Sequence, residues 1–508
     1  MCYLAVAVFG RCLWKTAVLC ILGNLPLQAQ TVEIESADEL SGTLERRILR
    51  GHVQLRQDTI RLRCQEAEIT EKGHFTARGG VITYIGTSGQ IQATQLTYDP
   101  ETQRLTYEGE VYASFPPAQL RAPRLHYDRL TQTAWYEGGG TFSDTTGEIH
   151  SERGSYDTRT EIATFAGKVR IFREHAQARS DTLIYESWRS YAIFPTEVVV
   201  WDTIRRDTLT ARRAEWNRHT GEVFLRDSAH YRDTSFLIWA TEAYYHPDRD
   251  SGQALCDVRY RERKKRYFAW ADTAYWVRRT LTLQANAALL LTDTTDTTFI
   301  QAERIWTQQE TLYAAGTAEL IRLPYRSRSD TLLYDTLRQI AHLTGQAWLT
   351  ENSMQLYGKK ITLYFTQRKP RSVHASEEVR FLSEADTFLR FYHQVIGDSA
   401  AALWDSTGTL REIYFIGRVQ LLYYQSEGTR WKGVHHAYAE QLYIQLDSLS
   451  KPSYARLEGK PKGTFYNIAP YIEAPLWLRG AYWMPPEEQP WYPLQLSLSS
   501  QGDGGAKE

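Results

Sequence analysis

Apolar and polar residues alternate along most of this chain, in short runs broken at regular intervals. Between Ala93 and Ala113, Leu96 and Tyr98 sit two apart and Asp99-Pro100-Glu101-Thr102 interrupts the run. Leu105, Tyr107, Gly109, Val111 and Ala113 then resume the alternation. Period two places such residues on one face of a strand. Asp followed by Pro suits the opening positions of a type I turn. The stretch predicts strand, tight turn, strand: a hairpin with one apolar face.

The unit returns about every 29 residues, and self-similarity at a fixed period defines a repeat architecture. An aromatic or aliphatic anchor falls at Leu40, Ile69, Tyr98, Tyr127, Tyr156, Tyr185, Trp216, Tyr245, Tyr275, Trp306, Tyr334 and Tyr364. Asp99, Asp128, Asp157, Asn217 and Asp335 follow as turn residues, often with Thr three positions later. The second strand of each hairpin carries a small residue near its middle: Gly51, Gly80, Gly109, Gly138, Gly167, then Thr196, Gly316 and Gly345. Glycine there permits a bend or a close backbone approach. Asp-Thr pairs at 181–182, 207–208, 272–273 and 330–331 read as strand-entry turns. The fold class predicted is all-β, an elongated antiparallel array in which each unit rests on its neighbours.

Composition agrees. The 508 residues hold 32 Tyr and 15 Trp against 3 Met, a β-rich usage. The net charge of −1 provides no field to recruit nucleic acid or an anionic membrane, and the run Arg261–Arg266 reads as a solvated strand end. At the N-terminus, Arg11 and Lys15 precede the apolar run 16–25, and Ala29 stands ahead of Gln30. This pattern predicts a signal peptide over 1–29, cleaved after Ala29. Its apolar run is too short to span a bilayer, and Leu19 before Cys20 argues against a lipid anchor. Cys64 and Cys256 then remain, too far apart in an array to pair.

The units 30–375 form the main repeat domain, 376–483 hold longer β units or a second domain of the same kind, and 484–508 form an irregular tail. No His-x-x-x-His helix motif, phosphate loop or nucleophile elbow occurs, so neither catalytic residues, metal ligands nor a cofactor site is expected. The acidic residues fall at turns or on outward strand positions.

Ser36-Ala37-Asp38-Glu39-Leu40, Gly51-His52-Val53 and Cys64-Gln65-Glu66-Ala67-Glu68-Ile69, restated at Gly109-Glu110-Val111 and Gly167-Lys168-Val169, resemble the OstA-like (LptA-like) proteins of lipopolysaccharide transport. The resemblance is strongest over 32–175. It implies a V-shaped β-jelly roll whose interior takes lipid acyl chains, a periplasmic location with possible attachment to the outer membrane, and lipopolysaccharide or a related lipid as ligand. The groove residues it implies are Leu96, Tyr98, Tyr107, Val111, Tyr127, Tyr136, Tyr156, Phe165, Val169, Tyr185, Phe194, Val198, Trp216 and Tyr245. Read from the residues alone, these positions could equally be packed core. A β-repeat scaffold or surface adhesin, and a polysaccharide-acting enzyme on a β-helix, stand as alternatives. The alternation begins at Val32, close behind the cleavage site, so the first strand edge is expected to pair with another lipopolysaccharide-transport protein.

Overall fold

The computed structural model describes residues 32–489, except 58, 87, 117, 145–146, 174–175, 205, 218, 233, 235, 247–248, 250, 263–266, 278–279, 293–296, 310, 367–368, 449–450 and 486–487. The segment expected to be a signal peptide, the end of the basic run Arg261–Arg266 and the last part of the tail lie outside the described residues. The described chain is all-β and antiparallel, a succession of hairpins of about 29 residues. It divides into two compact units, 1–256 and 257–508. The boundary expected at 375/376 falls within the strand Lys369–Asp386.

In the first unit, the strands Arg46–Gln57, Ile60–Thr70, Phe75–Ile85, Gly89–Asp99, Arg104–Phe115, Ala118–Asp128, Thr133–Asp144, Gly147–Asp157, Ile162–Phe172 and Ala176–Glu186 pair each with the next. The hairpin turns follow from the sequence. Asp128 Oδ1 accepts the N–H groups of Leu130 and Thr131. Asp157 does the same for Arg159 and Thr160, and Asn217 for His219 and Thr220. These are Asx turns, in which a short side chain supplies the bond the backbone lacks. At Asp99 the Thr102 hydroxyl is the main group holding the carboxyl below its usual range.

The long strands bend at their middle. On one strand of each pair, two consecutive residues take positive φ: Gly51-His52, Gly109-Glu110, Gly167-Lys168 and Gly316-Thr317. The register slips there, with two residues facing one, as in a β-bulge. On the neighbouring strand the inward parity jumps by one: Ala93 and Leu96 are both buried, as are Ala122 and Leu125, and two outward residues lie between each pair. The sheet thus folds across itself into two walls made from the two halves of the same strands. Wall A contains the halves that end in Asx turns, such as 95–99 and 104–108; wall B contains the others, such as 89–93 and 111–115.

The bend corrects several expectations. Gly109 lies exposed at the corner, so the alternation through Leu105, Tyr107, Gly109 and Val111 does not share one face. In the second hairpin the bulge begins at Gly79, with Gly80 as its second residue. Asp181-Thr182, Asp272-Thr273 and Asp330-Thr331 occupy mid-strand corners within Ala176–Glu186, Tyr267–Val277 and Tyr325–Asp335; only Asp207-Thr208 opens a strand. Corner carboxylates pair with the bulge: Asp38 contacts His52 at 2.8 Å, Glu152 Lys168 at 2.7 Å, and Asp398 Arg418 through Nε at 3.0 Å. A Cβ on Gly167 would lie 2.8 Å from the Cβ of Glu152. We expect Gly167→Val to cost about 1–3 kcal/mol in denaturant unfolding, from left-handed strain and this clash, with Gly167→Asn costing less.

From Ser187 the corner opens and the strands break in two. Tyr191–Phe194 pairs with Arg213–Asn217 in one wall, while Val198–Asp202 pairs with Thr208–Ala211 in the other. Thr196, at the glycine position, bonds the Ser180 hydroxyl at 3.0 Å and accepts the Thr182 N–H.

The second unit repeats the bent hairpins from Tyr267–Val277 to Arg430–Leu446. Here the 29-residue spacing drifts by one. Trp276, Thr307 and Leu363 take the inward anchor positions, so Tyr275, Trp306 and Tyr364 face outward; Ala274, Ile305 and Leu363 are buried beside them. Trp306 instead stacks on Tyr313 (5.2 Å) on the outer face. The longer strands of 369–446 keep the bulge, at Glu377-Glu378 and Gly417-Arg418. Irregular residues 468–484 run along the outside of one wall, tied by buried amides: Gln394 accepts the Leu478 N–H (2.8 Å) and Gln355 the Met484 N–H (2.9 Å).

Candidate functional site

Between the walls of the first unit lies an apolar groove of about 840 Å³, running from Val32 to Phe165. It sits in the upper part of the 300–1,000 Å³ range of ligand pockets. Its floor and sides are Leu55, Leu62, Ile85, Ile91, Leu96, Tyr107, Leu125 and Phe165. Its rim is made of strand ends and turns from both walls, including Arg56 and Gln57 on wall B and Gln103, Arg129 and Gln132 on wall A. The bend produces this space: each strand supplies inward side chains to both walls, and small corner residues such as Cys64 and Ala93 hold the vertex closed.

Of the positions expected to line a groove, Leu96, Tyr98, Tyr107, Tyr127, Tyr136, Tyr156 and Phe165 border the cavity. Tyr107 reaches Thr83 across the interior at 3.4 Å, and burial pushes its phenol up to about 12. Tyr136 bonds the Ser151 hydroxyl at 2.5 Å. These hydroxyls are satisfied inside the protein, so the rings present apolar faces. Val111 and Val169 are fully buried at the corner beside the bulge. Tyr185, Phe194, Val198 and Trp216 belong to a packed cluster extending from Tyr156 to Ala243, and Tyr245 is buried just beyond it. There the space between the walls is filled by side chains. Among the described residues the groove lining begins at Val32, on the N-terminal rung, and ends at Phe142 and Phe165, whose ring centroids lie 6.2 Å apart.

Sequence reasoning did not find the rim residues Arg56, Gln103 and Arg129, because nothing in a polar turn residue marks it as bordering a cavity. The corner glycines Gly51, Gly80, Gly109, Gly138, Gly167, Gly316 and Gly345 position the walls and do not line the groove. The second unit holds an apolar cavity of about 50 Å³ bordered by Tyr325, Phe381, Trp404 and Phe415. Among the described residues no group of three or more His, Cys, Asp or Glu is arranged to hold a metal ion, and no helix is long and apolar enough to cross a membrane.

In the first unit, fold and groove together define an antiparallel β-array with an apolar interior. Residues 29–181 match the family model described as OstA-like protein. Among solved structures, the chain is similar to LptH from Pseudomonas aeruginosa, described as the LptA-homologous periplasmic component of the lipopolysaccharide transport device. That similarity has 16% identity and a TM-score of 0.21, and covers 22% of this chain and 82% of that one. No curated protein matches the chain.

Proposed function

We propose that this protein is a periplasmic carrier that shelters the acyl chains of lipopolysaccharide, or a related lipid, in the groove of its first unit during transfer to the outer membrane. One observation carries the reading: the unfilled apolar groove, from Val32 to Phe165, lies within the OstA-like residues 29–181. Each sheltered methylene contributes about 0.8 kcal/mol, so acyl chains bind firmly without specific polar contacts. No covalent step is required of any residue. Mass spectrometry of apolar-solvent extracts from protein purified out of its own envelope tests the proposal. A multi-chain lipid is expected at near-equal molar amount; protein free of lipid would remove the reading.

The N-terminal end is the entry side in this proposal. The short strands Glu33–Ser36 and Glu39–Gly42 pair on one side only, with Arg46–Gln57, among the described residues. Val32, Ile34 and Leu40 are 48, 46 and 62% exposed, although Leu40 stands opposite the buried Leu49. A strand added by a lipopolysaccharide-transport partner would cover this apolar end and continue the ladder. Photocrosslinking from Val32 or Ile34 is expected to capture such a partner, and Ile34→Pro, which removes a donor from the edge, to abolish capture without emptying the groove. Recovery of monomer alone in envelopes holding the partners would show that the edge is only an end.

A further inference from the structure

The outer faces of the two walls differ in charge. On wall A, arginines share their cross-strand rows with carboxylates: Arg46 pairs with Glu68 (2.6 Å), Arg50 with Glu66 (3.4 Å) and Arg124 with Glu108 (3.2 Å), while Arg78, Arg104 and Arg153 stand opposite Glu66, Asp128 and Glu137 without an ion pair among the described residues. On wall B, Arg61, Arg63, Arg121, Arg170 and Arg179 are exposed, and none has a carboxylate within ion-pair range among the described residues. Following the cross-strand register from Ile60–Thr70 to Ala176–Glu186, the sole carboxylate in the rows that hold these arginines is Glu148, beside His150. Arg63 and Arg121 lie over the rings of Tyr84 and Tyr112 (5.5 and 5.4 Å), which hold their guanidinium groups against the sheet. At strand spacings of about 4.8 Å, the five span about 38 Å. The ladder adjoins the groove: Arg56, which pairs with Glu35 (3.9 Å), borders the cavity, and its cross-strand neighbour is Arg61.

We propose that this arginine ladder on the outer face of wall B binds the phosphorylated saccharide headgroup of the lipid whose chains occupy the groove. The inference rests on the carrier reading above. A headgroup leaving the mouth can turn over either wall; wall A intersperses its arginines with carboxylates that repel phosphate, wall B offers guanidinium forks matched to phosphate. The sheet twists from strand to strand. A flat bilayer would therefore meet few of these arginines at once, whereas a flexible saccharide follows the turn.

The test measures binding of purified lipopolysaccharide, the same material after phosphatase treatment, and dextran sulfate to the full chain. The triple variant Arg61→Gln/Arg63→Gln/Arg121→Gln is compared with Arg46→Gln/Arg50→Gln/Arg124→Gln on wall A. Since all six side chains are on the surface, circular dichroism and unfolding curves should match those of the unmodified protein. We expect the wall B variant to bind phosphorylated lipopolysaccharide about tenfold or more weakly, with a shallower salt dependence. Its affinity for the dephosphorylated lipid should be unchanged, and the wall A variant should behave as the unmodified protein. Equal affinity of both variants for the phosphorylated lipid would overturn the ladder while leaving the groove intact. Dextran sulfate bound as tightly as the lipid, and lost with the same arginines, would overturn it in favour of a free polyanion. Failure of the unmodified protein to bind either lipid would remove the carrier reading, and the ladder's headgroup with it.

Discussion

Phe165→Asp is expected to empty the groove of lipid and to destabilise the first unit by on the order of 3–5 kcal/mol, the usual cost of an uncompensated buried charge. Phe165 is 4% exposed, borders the far end of the cavity and contacts Phe142. Its cross-strand neighbours are Gly154 and Leu183, neither of which has a side chain able to accept the carboxylate. Tyr127→Asp, nearer the middle of the groove, should act alike. Glu161→Gln, at the turn that starts the same strand, should alter neither stability nor bound lipid. Lipid content by mass spectrometry, with urea unfolding alongside, separates the outcomes. Equal tolerance at Phe165 and Glu161 would show the inward and outward faces to be reversed, since a slip of one residue exchanges them.

Phe194→Ala should both destabilise and enlarge. Phe194 is almost wholly buried in the packed cluster immediately beyond the far end, and large-to-small changes at such aromatic positions cost about 3–5 kcal/mol. The vacated volume adjoins rungs whose walls are lined by Ala178, Ala192, Ala211 and Ala214, too short to close it. The groove is therefore expected to lengthen toward Trp216, and the variant to hold more or longer acyl chains than the unmodified protein. If stability falls while the bound lipid is unchanged in amount and chain length, the walls collapse onto the gap and Phe194 is not what ends the groove. On the carrier proposal, the same result bears on transport: a lipid entering at Val32 would stop at Phe165 unless this cluster opened.

Local chemistry alone was enough for much of this protein. Alternation at period two forces strands because successive side chains point to opposite faces. Asp99, Asp128, Asp157 and Asn217 force the turns because their side chains accept the next N–H groups. The string around Ala37-Asp38, Gly51-His52-Val53 and Cys64 to Ile69 was sufficient for the OstA-like resemblance, which the family match over 29–181 bears out. Each of these signals is complete within a few residues. Which face is inward after a bend is not. The parity jump at Ala93/Leu96 requires the partner strand's bulge at Gly109-Glu110, and a drift of one residue turns Tyr275, Trp306 and Tyr364 outward. Whether an inward aromatic lines space or fills it depends on the summed volumes of residues far apart in the chain. Tyr127 and Trp216 hold the same repeat position; the first borders an open groove and the second is locked in a core. Only the opposing wall, folded back from the other half of the same strands, decides between them.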